Sequence, residues 1–154
     1  MLDCGWQGHV RQPRRSGGHG GKLCDVLRYQ LEYGDAESQL LIEMAEQQKW
    51  DNIPRRPVLR PDSAWIWRAW NRLDSERPHT VTGFSIAMGG SVTESVPRPI
   101  PWRAVRAWAR YHRLSDAGFA VLDHCIAALD RVYIAAWWEG YNRRMETMRS
   151  AASR

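Results

Sequence analysis

Trp65-x-Trp67-x-x-Trp70-x-x-Leu73-x-x-x-Arg77 and, beyond a polar gap, Ile100-Pro101-Trp102-x-x-Val105-x-x-Trp108-Ala109 are the stretches on which the fold turns. In both, apolar residues recur at intervals of three and four, the period of one face of an α-helix. The first places Ile66, Ala69, Trp70 and Leu73 on one buried stripe, with Trp65 and Trp67 at its flanks. Those two flanking tryptophans cannot both enter the same face, so at least one is expected at a contact with another element or another chain. In the second, Val105, Trp108, Ala109 and His112 form an inner face, while Arg103, Arg106, Arg110 and Arg113 form a separate basic stripe.

Outward from these stretches the same period continues. Leu114-Ser115-Asp116 restarts the chain, with Ser115 as N-cap and Leu114 and Phe119 placed for a hydrophobic staple. The helix that follows carries Leu122, Cys125, Ile126, Leu129, Tyr133 and Trp137 on one side, and Gly140 is its expected stop. Asp62 is the expected N-cap of the Trp65–Leu73 helix, and Pro101 fits the first turn of the Trp102 helix, where its missing N–H costs nothing. Upstream, Leu23, Val26, Leu27 and Leu31 make one short stripe. Gly34-Asp35 then breaks the pattern, and Leu40, Leu41, Met44, Ala45 and Gln48 share the face of a second helix. Residues 78–99 hold Gly83, Gly89-Gly90, Pro97 and Pro99, an irregular insert in which a short hairpin pairs Val81–Met88 with Ser91–Val96.

The fold class that follows is all-α, a small domain of about five helices with that one insert. Its expected structural core is Ile66, Trp70, Leu73, Val105, Trp108, Phe119, Leu122, Ile126, Leu129 and Tyr133. Four regions are expected: a flexible basic arm at 1–22, an acidic helical segment at 23–52, a tryptophan- and arginine-rich helical domain at 53–140 and a C-terminal tail at 141–154.

The 154 residues carry a formal charge of +5, distributed in blocks: +3 over residues 1–22, −5 over 23–52, +7 over 53–115 and zero over 116–154. Only Lys22 and Lys49 are lysines; the remaining cations are arginines, whose planar fork suits carboxylates and phosphates alike. Residues 1–22 lack the apolar centre of a signal peptide, and no apolar run reaches the ~20 residues that span a bilayer. Three cysteines at irregular spacing fit a reducing compartment. The expected location is therefore cytoplasmic, without a membrane.

Chemistry is hard to build from these residues. Cys4, His9, His19 and Cys24 have zinc-binding side chains, but their spacing matches no recurrent finger, and no cofactor is expected. Asp123 and His124 are sequence neighbours and point to different sides of a helix, while His112 is expected as a hydrogen-bonded core residue. Gly17-Gly18-His19-Gly20-Gly21 lacks the Lys-Ser/Thr pair of a phosphate-binding loop. The chain is read as non-enzymatic. The helices around Leu114-Ser115 resemble a helix-turn-helix, which makes DNA binding an alternative. The second helix would then present Asp116, Ala117, Gly118, Phe119 and Ala120 to the bases, a set with no donor for base edges, so nucleic acid is disfavoured. Nine tryptophans supply core and surface alike, and tryptophan and arginine are the residues most enriched among binding hot spots. Trp65, Trp67, Trp102, Arg103, Arg106, Arg110 and Arg113 are accordingly the candidate partner-binding residues. The arginine stripe has a second candidate partner in the acidic helices at 23–50, of its own chain or of a neighbouring copy in a homo-oligomer.

Taken together, Pro57-Val58-Leu59-Arg60-Pro61, the two tryptophan stretches and Phe119-x-x-Leu122-x-x-x-Ile126-x-x-Leu129-Asp130-x-x-Tyr133 resemble the small tail assembly chaperones of long-tailed phages and gene transfer agents. The resemblance covers about residues 57–134. It implies a non-enzymatic protein of the host cell cytoplasm that binds the tape measure protein and tail tube protein during tail morphogenesis; a structural tail or neck component is the alternative. The stretch between Arg77 and Ile100 is longer than the resemblance implies.

Overall fold

The computed structural model describes residues 19–85 and 91–152. Within them lie five α-helices, a short 3-10 turn and one hairpin: α1 (His19–Tyr33), α2 (Ala36–Gln47), the 3-10 turn Pro61–Ser63, α3 (Ala64–Asp74), β1 (His79–Ser85), β2 (Ser91–Pro97), α4 (Trp102–Tyr111) and α5 (Asp116–Ala152). The mostly helical architecture read from the spacing is the one observed, and the insert does form a hairpin. Its strands are antiparallel, running from His79 opposite Pro97 to Ser85 opposite Ser91. No described helix is long and apolar enough to cross a membrane.

One core joins four helices. Leu23, Cys24 and Leu27 of α1, Ile66, Ala69, Trp70 and Leu73 of α3, Val105 and Ala109 of α4 and Leu122, Cys125, Ile126 and Leu129 of α5 are buried together with Ile100. Of the core residues named from spacing, Trp108, Phe119 and Tyr133 are only half-buried and pack against this cluster from its margin. Trp65 and Trp67 do the same, so both flanking tryptophans give part of their surface to the domain itself.

Local chemistry explains the helix ends. Asp35 caps α2, accepting from the Ser38 N–H at 2.8 Å and from its hydroxyl at 2.6 Å. These two hydrogen bonds hold the Asp35 carboxyl below the ordinary aspartate value. Just before it, Gly34 is obligatory: a Cβ there would stand 2.1 Å from the Gln30 carbonyl oxygen. Ser115 caps α5, its hydroxyl accepting from the Gly118 N–H at 3.2 Å, and Leu114 and Phe119 both reach the core as a staple would place them. Two helices, α2 and α4, close on a left-handed residue that is not glycine. Lys49 (φ 55°) and Arg113 (φ 52°) adopt the left-handed conformation. The bonds Trp50 N–H to Ala45 C=O (3.1 Å) and Leu114 N–H to Ala109 C=O (2.9 Å) close the last turns of α2 and α4.

Several local expectations need correction. Asp62 lies inside the 3-10 turn, paired with Arg60 at 3.0 Å, and Ser63 precedes α3 without a side-chain cap. His112 is exposed: it stands past the last turn of α4, its ring 4.1 Å from that of Trp108, because the helix ends before His112 can turn inward. Arg113 is likewise beyond the helix, so only Arg103, Arg106 and Arg110 form the helical stripe. Gly140 does not stop α5, which continues to Ala152, making 141–152 helical. A glycine inside a helix costs only about 1 kcal/mol relative to alanine, and most of the residues after it (arginines, methionines, Glu146 and alanines) are good helix formers, with no proline among them. At the other end α1 starts at His19, within the stretch read as a flexible arm; Cys4, His9 and the rest of residues 1–18 lie outside the described residues.

Candidate functional site: a buried arginine knot beneath an open groove

Arg77 lies three residues past the end of α3, with 1% of its side chain exposed. Its Nε donates to Asp74 Oδ1 at 2.7 Å, Nη2 to Asp130 Oδ1 at 2.7 Å and Nη1 to the Arg98 carbonyl at 2.9 Å. The guanidinium also lies over two rings, 4.4 Å from the centroid of Tyr133 and 5.1 Å from that of Trp70. Asp130 uses its other oxygen to accept the Ile100 N–H at 2.7 Å. Burial pushes the Asp130 carboxyl above the ordinary aspartate value, and the Arg77 guanidinium and the Ile100 N–H pull against that shift.

This knot ties the end of α3, both ends of the hairpin, the extended segment leading into α4 and the middle of α5 to one another. The His79 ring nitrogen lies 3.0 Å from the Arg77 carbonyl and the Arg98 N–H donates to the Pro78 carbonyl at 2.9 Å, so the hairpin is anchored at its base. Farther out, Arg144 of α5 pairs with Glu94 of β2 at 2.8 Å. An isolated two-stranded ribbon is marginal in water, and these ties supply what the ribbon lacks. The role is architectural, since each guanidinium nitrogen of Arg77 and both carboxylate oxygens of Asp130 already carry a hydrogen bond. Arg77 and Asp130 stand in the helical motifs, but spacing alone gives neither of them a role. The available signal was Asp130 itself, a lone acid four residues after Ile126 on an apolar helix face, which demands a buried partner.

Above the knot, Pro99, Ile100, Trp102 and Val105 face Asp123, Ile126, Ala127, Asp130, Arg131, Ile134 and Ala135 of α5 across a groove of about 500 Å³. It is open to solvent and lined mainly by apolar atoms. Trp102 stands at its edge, 51% exposed, meeting the Phe119 ring edge-on with centroids 5.8 Å apart. Arg106 lies over Trp102, 5.0 Å from the ring centroid. Helical spacing puts Arg103, Arg106 and Arg110 on the side of α4 adjacent to Trp102, and all three are exposed. Among the described residues none of them, nor Arg113, takes part in an ion pair.

The structure thus brings together Trp102, Arg103, Arg106 and Arg110, and separates them from Trp65 and Trp67. The latter two sit on α3, which contributes nothing to the groove lining. The α5 wall went unrecognised because Ala127, Ile134 and Ala135 read as unremarkable helix formers. A second aromatic patch lies farther along α5, where Trp137 stacks on Tyr141 (5.5 Å, 8°) and Trp138 meets Tyr141 edge-on (5.6 Å, 88°).

Fold and surface define a small, mostly α-helical domain that holds an open apolar groove with a basic rim. The chain belongs to the phage tail assembly chaperone family, whose sequence profile matches residues 42–135. The match takes in the later turns of α2, then α3, the hairpin, α4 and α5 as far as Ala135, and therefore both the knot and the groove. Among curated proteins and among solved structures, nothing matches the chain.

Proposed function

We propose that the groove between α4 and α5 receives an apolar segment of a tail protein, the tape measure protein or the tail tube protein, during tail assembly in the host cell cytoplasm, without catalysis. The observation that carries this reading is the conjunction at one edge of an exposed tryptophan and three exposed arginines that make no ion pair among the described residues. A helix laid in a groove is a common recognition mode, in which apolar anchors give affinity and charged margins give orientation and speed of encounter. Trp102 supplies the anchor surface, Arg103, Arg106 and Arg110 steer acidic flanks, and Arg113 extends the charge past the helix end. Trp65 and Trp67, half-exposed on α3, act as a secondary contact.

The test is recovery of partners from phage-producing cells with the tagged full chain, after nuclease treatment, read by mass spectrometry. A tail protein should be retained by the wild type and lost with Trp102→Ala and with Arg106→Glu/Arg110→Glu. Loss of every partner on nuclease treatment would overturn the reading in favour of nucleic acid. Finding the chain itself as a component of purified particles would make it a structural tail protein instead.

A further inference from the structure

Helix α2 has a surface that its own chain leaves uncovered. Leu40, Leu41 and Met44 are 56%, 59% and 46% exposed, whereas Ala45 is the buried residue of this helix. They cluster on one face, since residues four apart (Leu40 and Met44) align and Leu41 is the next position round the helix. Glu37 stands three residues before Leu40 and four before Leu41, and Glu43 three after Leu40. With Glu46 and the cap Asp35, the segment 35–47 holds four acids and no base. An apolar stripe with acidic margins is the inverse of the α4–α5 groove, which has an apolar floor and a basic rim.

We propose that α2 of one copy docks in the α4–α5 groove of a second copy. Leu40, Leu41 and Met44 enter between Trp102, Val105 and Ile134, and Glu37 and Glu43 meet Arg103, Arg106 and Arg110. The chain does not make this contact with itself. Its α2 face stays exposed, and among the described residues no ion pair joins α2 to α4. Asp123 and Asp130 also line the groove; Asp130 is neutralised by Arg77, and Arg131 lies on the same α5 wall, so the opening remains suited to an acidic helix. If each copy donates α2 to the other, two identical contacts close on themselves. Because the occupied groove is the one assigned above to a tail protein, self-association shields it until a client displaces α2. The inference shares that groove but needs no client.

Sedimentation velocity of the full chain over a concentration series tests it. The wild type should form species heavier than the 17.8 kDa monomer. Leu41→Glu/Met44→Glu and Arg106→Glu/Arg110→Glu should each weaken association by at least about tenfold, as loss of central interface contacts does. Combining Arg106→Glu/Arg110→Glu with Glu37→Arg/Glu43→Arg should restore it. All these side chains are exposed, and an unchanged thermal melt verifies the fold. A wild type that stays monomeric through the micromolar range overturns the proposal, as does association indifferent to the α2 changes or a charge reversal that rescues nothing. Self-association through these faces without capture of a tail protein would uphold this inference and sink the functional reading above. Capture by a strictly monomeric wild type would do the opposite.

Discussion

Arg77 and Arg106 are the same residue in two opposite circumstances. Arg77 is desolvated, holds two carboxylates and a carbonyl within 2.9 Å and lies over two aromatic rings. Arg106 lies over a tryptophan at the surface and makes no ion pair among the described residues. A buried guanidinium is tolerated only where its hydrogen bonds are replaced, so Arg77 is locked to its partners and its loss is felt as instability. An exposed guanidinium keeps its water and contributes little to stability, so Arg106 is free to serve an incoming partner. Burial, more than residue type, separates the arginine that holds the domain together from the arginine that faces outward.

The contrast breaks most sharply at Asp130. Asp130→Ala strands Arg77 without its main counter-charge and is expected to cost about 3–5 kcal/mol, measured by urea unfolding, the usual penalty for removing one partner of a buried pair. Arg106→Glu/Arg110→Glu is the mirror experiment. Its unfolding free energy should stay within about 0.5 kcal/mol of wild type while partner capture falls. If the two sets of variants lower stability equally, the distinction between buried and exposed arginines fails. Arg113→Gly sharpens the point at a third arginine: it should stabilise by roughly 0.5–1 kcal/mol in thermal melts, because glycine adopts the left-handed conformation without strain. An unchanged or lowered melting temperature would mean that the Arg113 side chain contributes more to the fold than its conformation costs. The smallest effect belongs to Asp35. Hydrogen bonds from Ser38 lower its carboxyl pKa in the folded chain. The associated stability is therefore present above the ordinary value of 3.8 and is lost as pH falls through the depressed one. Faster amide exchange at the start of α2 below that range, and not above it, is the expected signature.

Much of the helical layout was legible because it rests on local physics. The three-and-four spacing of Ile66, Ala69, Trp70 and Leu73 follows from helix geometry alone, as does that of Leu122, Ile126 and Leu129. The caps Asp35 and Ser115 depend on neighbours three residues away, within reach of local reasoning. The break before Ser115 was legible, but the turns that close α2 at Lys49 and α4 at Arg113 were not, because the usual glycine is missing and a residue with a side chain takes the left-handed conformation in its place. Gly140 misled for the converse reason: a glycine punctuates a helix only when the following chain has somewhere else to go.

The sequence by itself determined that this chain is mostly helical, which faces of α3 and α5 turn inward, that a hairpin interrupts the helices, and where the charge is concentrated. Each of these depends on contacts among residues close in the chain or on simple periodicity. The tertiary structure alone decided that Arg77 meets Asp130 across 53 positions, that Trp102 borders a groove while Trp65 and Trp67 lean on the core, and that the apolar face of α2 is left uncovered. Those outcomes depend on how helices distant in sequence stack, and burial, which sets the energy of every charge and ring in this domain, exists only once they have done so.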